Sequence, residues 1–169
     1  SKLLGEQAIQ NSGCRHLIFR SSWIYSAYGN NFVKSMLKLA KTKDELRVVN
    51  DQFGGPTSAK FVARISLSAI EKKILPDGIY HLSSAGSASW YELAKAVIDL
   101  GWQYGLKLKI KGSDILPITT DQYPTLARRP IYSTLNCQKL FAKLDENQVD
   151  WYTNLDENMT EIAREFHDA

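Results

Sequence analysis

Apolar positions along the chain fall into two rhythms, one helical and one strand-like. Leu3, Leu4, Ala8 and Ile9 group on one side of a helix predicted over Lys2 to Gln10, and Asn11-Ser12-Gly13 supply its stop. His16 to Arg20 is a short apolar run after turn residues, the pattern of a buried strand in a parallel sheet. Beyond Tyr28-Gly29-Asn30, Phe32, Val33, Met36, Leu37 and Ala40 recur at helical spacing, with Lys38, Lys41 and Lys43 toward the C-terminal end of that helix. Leu46 to Val49 reads as a second strand. Gly54-Gly55-Pro56 then breaks the pattern before Thr57, which is predicted to cap a helix carrying Phe61, Val62, Ile65, Ala69 and Ile70 on its apolar face.

Pro76-Asp77-Gly78 turns the chain into a third strand over Ile79 to Leu82. Ser89 and Glu92 have capping-box spacing and open a helix through Leu100, with Gly101 as its natural terminator. Lys107 to Arg129 is mixed, with a short strand near Ile115 to Ile118, and Leu155, Met159, Ile162 and Phe166 mark a final helix. Alternating helices and strands predict an α/β fold. Three or four strands are fewer than a doubly wound nucleotide-binding sheet normally has, so the expectation is an incomplete Rossmann-type parallel sheet with a smaller substrate-binding domain. None of the 10 glycines falls in a G-x-G-x-x-G or Walker pattern, so the sequence carries no cradle for a cofactor pyrophosphate.

Composition narrows the class further. With 44% hydrophobic and 23% charged residues the chain is of ordinary globular type. Its formal charge of +3 is too small and dispersed to predict a nucleic-acid partner. No apolar run approaches the roughly 20 residues that span a bilayer, so no membrane partner is expected. Cys14 and Cys137 belong to no metal-ligand spacing, which fits a reduced, cytoplasmic protein. There is no HExxH and no G-x-S-x-G elbow; His16 and His81, in or beside strands, read as structural histidines, and His167 as a terminal solvated residue.

A set of ordered segments carries more: Ser1-Lys2-Leu3-Leu4-Gly5-Glu6, Arg20-Ser21-Ser22-Trp23-Ile24-Tyr25, Gly29-Asn30-Asn31-Phe32-Val33-Lys34, Asp51 to Thr57, Tyr80-His81-Leu82, and Tyr123-Pro124-Thr125 to Ala127-Arg128-Arg129-Pro130. Together, from Ser1 to about Trp151, they resemble the dTDP-4-dehydrorhamnose reductases, which are extended short-chain dehydrogenases/reductases. The resemblance implies that the chain is the carboxy-terminal portion of such an enzyme, with residues 1 to about 50 and 78–84 completing the Rossmann-type sheet and residues 51–77 and 85–169 mainly forming the substrate-binding domain.

The resemblance also implies roles. The first segment matches the end of a Tyr-x-x-x-Lys motif, making Lys2 the catalytic lysine and a contact to the cofactor ribose, with its tyrosine four residues upstream. The tyrosine hydroxyl protonates the carbonyl oxygen as hydride arrives, and the ammonium lowers its pKa. Ser22 is placed near the nicotinamide and Trp23 against the sugar, where an aromatic face suits the apolar side of a 6-deoxyhexose. Asn31 is assigned to the nucleotide diphosphate, a role compatible with capping the helix it precedes. Arg129 is assigned to the nucleotide sugar, since a guanidinium binds a diphosphate bidentately. Lys34 reads as a solvated lysine, and Gln52 and Thr57 fit a turn and cap as well as a ligand contact. Some relatives carry a glutamate soon after the Pro-Thr pair that contributes to a magnesium-linked dimer contact; Lys60 stands there instead, so no metal is expected, while a homodimer is left open.

The activity implied is NADPH- or NADH-dependent reduction of dTDP-4-dehydro-L-rhamnose to dTDP-L-rhamnose, with the dTDP-sugar as ligand and no cofactor held tightly by these residues alone. Two alternatives remain: a non-catalytic binding subunit of the methionine adenosyltransferase regulatory type, and a reductase or epimerase acting on another deoxysugar nucleotide.

Overall fold

Each strong periodicity becomes an element in the computed structural model, which describes residues 1–125, 127 and 129–167. Helix α1 (Lys2–Asn11) leads through Gly13, whose positive φ of 73° turns the chain, into β1 (Leu17–Arg20) and the two-residue β2 (Ile24–Tyr25). Then come α2 (Phe32–Thr42), β3 (Leu46–Val49), β4 (Phe53–Gly54), β5 (Thr57–Ser58) and α3 (Ala59–Lys72). Strands β6 (Gly78–His81) and β7 (Ala88–Ser89) precede α4 (Trp90–Gln103), and β8 (Ile115–Ile118), α5 (Gln138–Leu144) and α6 (Trp151–His167) complete the order.

Pairing is mostly parallel, as continuous apolar strands separated by helices require. Strand β1 lies beside β6 with Leu17 opposite Gly78 and Arg20 opposite His81. Strand β3 runs beside β8 with Leu46 opposite Ile115, so the three strands of the first 50 residues, β1, β2 and β3, fall in three separate ribbons. Strands β2 and β5 also pair in parallel, whereas β4 and β7 form an antiparallel ribbon with Gly54 opposite Ala88.

Two apolar cores result. One gathers α2, α4 and α6 with β3 and β8 around Leu37, Val48, Val97, Ile115, Leu155 and Ile162. The other packs α3 and α5 on β6 through Phe61, Ile65, Tyr80, Leu140 and Leu144. The final helix carries Leu155, Met159, Ile162 and Phe166 on its buried side, as its spacing predicts.

Several expectations change. Ser58, not Thr57, caps α3: the helix begins at Ala59 and Ser58 Oγ accepts from Phe61 N–H at 3.1 Å, while the Thr57 hydroxyl donates to Gly55 O at 2.9 Å. Ile70 is exposed, because a 14-residue helix has only one face on the core and Phe61, Ile65 and Ala69 define it. Gly101 does not end α4. It is buried, and a Cβ there would stand 3.0 Å from Leu37 Cδ2 and from Leu108 Cδ1, so the glycine lets α2 and α4 approach while the helix runs on to Gln103. Leu3, Leu4 and Ile9 are exposed, and no residue of α1 is buried. The short helix α5 was not predicted from the pattern.

Candidate nucleotide-sugar site

The site starts where β1 ends, at the carboxyl edge of the parallel pair, the edge on which open α/β sheets place ligands. Trp23 has a left-handed backbone, φ 46°, which is costly for a bulky residue. The hydrogen bond from Thr57 N–H to its carbonyl, 3.2 Å, helps to hold it there. Its indole stacks on Trp90 at 3.5 Å between ring centroids and 8° between planes. Phe32 leans on Trp90 at 4.6 Å. On the Trp23 ring itself, the α-carbon of Gly54 approaches so closely that a Cβ would overlap Cε2, Nε1 and Cδ2.

Asn31 caps α2: its Oδ1 accepts from Lys34 N–H at 3.2 Å and its Nδ2 donates to Ser26 O at 2.8 Å. Lys34 is half-buried rather than solvated, and its Nζ donates to Ala27 O at 2.7 Å. With no acidic residue in the first turn of α2, the ammonium and the free amides of the helix start add positive potential beside Asn31.

The Asp51 to Phe53 stretch is fixed by the loop that follows β8. Both Asp51 carboxylate oxygens accept from Thr120 N–H at 3.0 Å, and the Thr120 hydroxyl donates to Oδ1 at 2.7 Å, holding the Asp51 carboxyl below its usual range. Buried Gln52 donates Nε2 to Thr120 Oγ1 at 3.0 Å, so its amide serves that junction. Phe53 N–H donates to Ile131 O at 2.7 Å, and its ring stacks with Tyr132, which draws the Arg129 loop beside β4. Arg129 is exposed and forms no ion pair among the described residues; its neighbours Leu126 and Arg128 lie outside them.

Ser22 is half-buried, and the hydroxyl of Ser21 beside it is buried without a partner among the described residues, an open polar group that sequence reading missed. Tyr25 OH is likewise buried and unpartnered there; burial, helped by the Glu157 charge, pushes its pKa far above the ordinary tyrosine value. Lys2 is exposed on α1. One turn further on, Glu6 receives the Arg20 guanidinium through Nε at 2.9 Å and Nη2 at 2.6 Å, joining α1 to the end of β1 and lowering the Glu6 pKa. His16 and His81 each place Nδ1 against a main-chain carbonyl, Cys14 O and Asn136 O, in keeping with structural roles. The His167 side chain lies outside the described residues.

The structure therefore gathers Trp23 and the Asn31–Phe32 helix start around Trp90 and brings the Arg129 loop to the neighbouring strand. Lys2, on α1, is exposed and forms no ion pair among the described residues. A cavity of about 420 Å³ between residues 84–86 and α5 contains none of these candidates. Gly54, Trp90 and Phe32 were not singled out from the sequence, because each has a sufficient local explanation there, as turn glycine, first helical residue and amphipathic core.

The model of the RmlD substrate binding domain matches residues 1–164. The chain belongs to this family. The dTDP-4-dehydrorhamnose reductase of Escherichia coli K12 is 41% identical over 165 residues, covering 96% of this chain and 54% of that protein. The Bacillus subtilis spore coat polysaccharide biosynthesis protein SpsK is 43% identical over 136 residues, covering 80% and 44%. Among solved structures, the Bacillus anthracis dTDP-4-dehydrorhamnose reductase in complex with NADP superposes with a TM-score of 0.83 at 32% identity, over 95% of this chain and 53% of that one. The chain spans about half the length of the curated relatives it matches. As a member of the RmlD substrate binding domain family, it has the α/β fold of part of a Rossmann-type enzyme. The names of these relatives do not favour a regulatory binding subunit.

Proposed function

We propose that the chain is the nucleotide-sugar-binding part of an NAD(P)H-dependent dTDP-4-dehydrorhamnose reductase that converts dTDP-4-dehydro-L-rhamnose to dTDP-L-rhamnose. The observation that carries this is the likeness to reductases along almost the whole chain. Trp23 contacts the hexose. Asn31, through the start of α2 with the Lys34 ammonium beside it, and Arg129 neutralise the diphosphate.

For the dinucleotide, the residues present fit one end only. Ser22 and the open Ser21 hydroxyl offer polar groups toward a nicotinamide, and Lys2 offers an ammonium to its ribose, but the chain has no glycine-rich pyrophosphate cradle. When bound, the cofactor supplies hydride. Lys2 acts by lowering the pKa of a tyrosine hydroxyl that delivers the proton to the sugar oxygen. Activity of the reductase type, its homodimer and its place in the cytoplasm all belong to the same proposal.

Calorimetric titration with dTDP-L-rhamnose, dTDP and NADPH tests the reading. Binding of both dTDP compounds, with NADPH far weaker, is expected. Failure to bind either dTDP compound refutes the site, and tight NADPH binding refutes the division of labour.

A further inference from the structure

The sequence reading had the sugar resting on the face of Trp23, but both faces of that indole are already covered. A Cβ on Gly54 would lie nearest to Cε2, then Nε1 and Cδ2, three connected atoms of the five-membered ring. A point close to all three stands above the ring and not beyond its edge. The parallel Trp90 indole, centred 3.5 Å from that of Trp23, then has room only against the opposite face.

Gly54 lies outside the left-handed region, so its backbone conformation does not call for glycine. The indole does. The other jaw, Trp90, directly follows β7, which pairs with β4, so one antiparallel ribbon carries both sides of the clamp. That ribbon is itself anchored: Ser89 Oγ donates to Asn50 Oδ1 at 2.7 Å, accepts from Glu92 N–H at 3.1 Å, and Glu92 returns a bond to Ser89 N–H at 2.7 Å. A left-handed tryptophan persists only where its surroundings over-determine it, and these surroundings do.

We propose that Gly54 and Trp90 are positioning residues that grip the Trp23 indole by both faces, so that it meets the hexose of a dTDP-sugar along its edge. The proposal rests on the nucleotide-sugar reading above. Trp23 is half-buried; with Trp90 stacked on one face and Gly54 seated over Cε2 on the other, the edge is the part left for the sugar in this proposal. An aromatic edge carries positive quadrupole density, so it favours sugar oxygens, whereas a face would favour apolar C–H groups. Trp23 thereby selects hydroxyl or carbonyl positions of the hexose.

The test combines calorimetry with dTDP and dTDP-L-rhamnose and the far-UV circular dichroism couplet of two stacked indoles, on the wild type, Gly54→Ala, Trp90→Phe and Trp90→Ala. Gly54→Ala is expected to collapse the couplet and to lower the ratio of dTDP-L-rhamnose to dTDP affinity about tenfold. Trp90→Phe loses the couplet but keeps a ring on the indole and retains that ratio, which Trp90→Ala does not; this pair decides the matter even if Gly54→Ala does not fold. The wild-type couplet should survive saturation with dTDP-L-rhamnose. Loss of the couplet on sugar binding, or a wild-type ratio in both Gly54→Ala and Trp90→Ala, overturns the proposal. If the wild type binds neither ligand, the nucleotide-sugar reading fails and the sugar contact with it, while the ligand-free couplet of Gly54→Ala still decides the clamp.

Discussion

Replacing Asn154 by alanine removes the centre of a buried polar network that joins three elements. Asn154 Oδ1 accepts from Ser58 Oγ at 2.7 Å and from Asn158 Nδ2 at 3.1 Å, while its Nδ2 donates to Ser84 Oγ at 3.1 Å. Ser58 and Ser84 are no more than 2% exposed. Ser58 caps α3, Ser84 N–H donates to Thr57 Oγ1 at 3.2 Å, and Asn154 lies on α6, so one side chain ties the Gly54-Gly55-Pro56 turn, the exit of β6 and the last helix together. In Asn154→Ala, Asn158 keeps the Asn154 carbonyl at 2.7 Å, but the Ser58 and Ser84 hydroxyls each lose a partner. At about 1–3 kcal/mol for each of the two hydroxyls, a loss of about 2–6 kcal/mol in unfolding free energy is expected. Urea denaturation followed by circular dichroism measures it, with an unchanged m-value showing that the unfolded reference is the same. Ser84→Ala removes one partner only, and a double-mutant cycle with Asn154→Ala should give a coupling of about 1 kcal/mol. A loss below about 0.5 kcal/mol for Asn154→Ala would refute the reasoning, since water would then be replacing the amide at little cost.

Other perturbations probe different links. Gly101→Val places two methyl groups where even a Cβ stands 3.0 Å from Leu37 and Leu108, so overpacking by about 1–3 kcal/mol should appear as a lowered melting temperature. Glu146 accepts from the Ser68 hydroxyl and pairs with Arg64 at 2.9 Å and Lys72 at 3.7 Å; the Ser68 bond foremost, then these cations, hold its pKa below the ordinary glutamate value. A depressed folded-state pKa stabilises the fold fully above the unfolded value and ceases to do so as pH falls through the lower folded value. Melting temperatures of Glu146→Gln measured against pH should therefore lie below wild type near neutrality and converge with it in acid; a constant difference would contradict this.

What could be read in the sequence follows from how local its causes are. The spacing of Val33, Met36, Leu37 and Ala40, and the Ser89–Glu92 box, are complete within one turn or one face, and α2 and α4 start where they indicate. Gly101 misled because helix termination and close packing both select glycine, and only Leu37 and Leu108, distant in the chain, decide between them. Ser58 took the cap from Thr57 because α3 begins only at Ala59 and the Thr57 hydroxyl is engaged by Gly55 O at 2.9 Å and Ser84 N–H. At the candidate site, Trp23 and Asn31 were named through the family resemblance, and the cap that Asn31 makes on α2 was legible from its place before the helix. Gly54 and Trp90 were not, since the clamp exists only once β4 pairs with β7.

Helices α1 and α4 are held very differently, and this bears on Lys2. Helix α4 buries seven residues, from Leu93 to Gly101, whereas α1 buries none and leaves Leu3 60% and Leu4 68% exposed. A helix of 10 residues is marginal in water without tertiary packing. The Glu6–Arg20 pair fastens α1 to β1, and an exposed ion pair of this kind is weakened by salt. Amide exchange should thus be fastest in α1 among the helices and slow in α4, and Arg20→Ala or high salt should erase what protection α1 has. Neither should alter the Trp23–Trp90 couplet, because the clamp is built on the β4–β7 ribbon and α4, with no part in α1. Protection in α1 equal to that in α4 would refute this account. If it holds, the Trp23 indole proposed to contact the sugar is preorganised while Lys2 is loosely held, and the proposed catalytic role of Lys2 requires the exposed Leu3–Leu4 face to be covered while the proposed role of Trp23 does not.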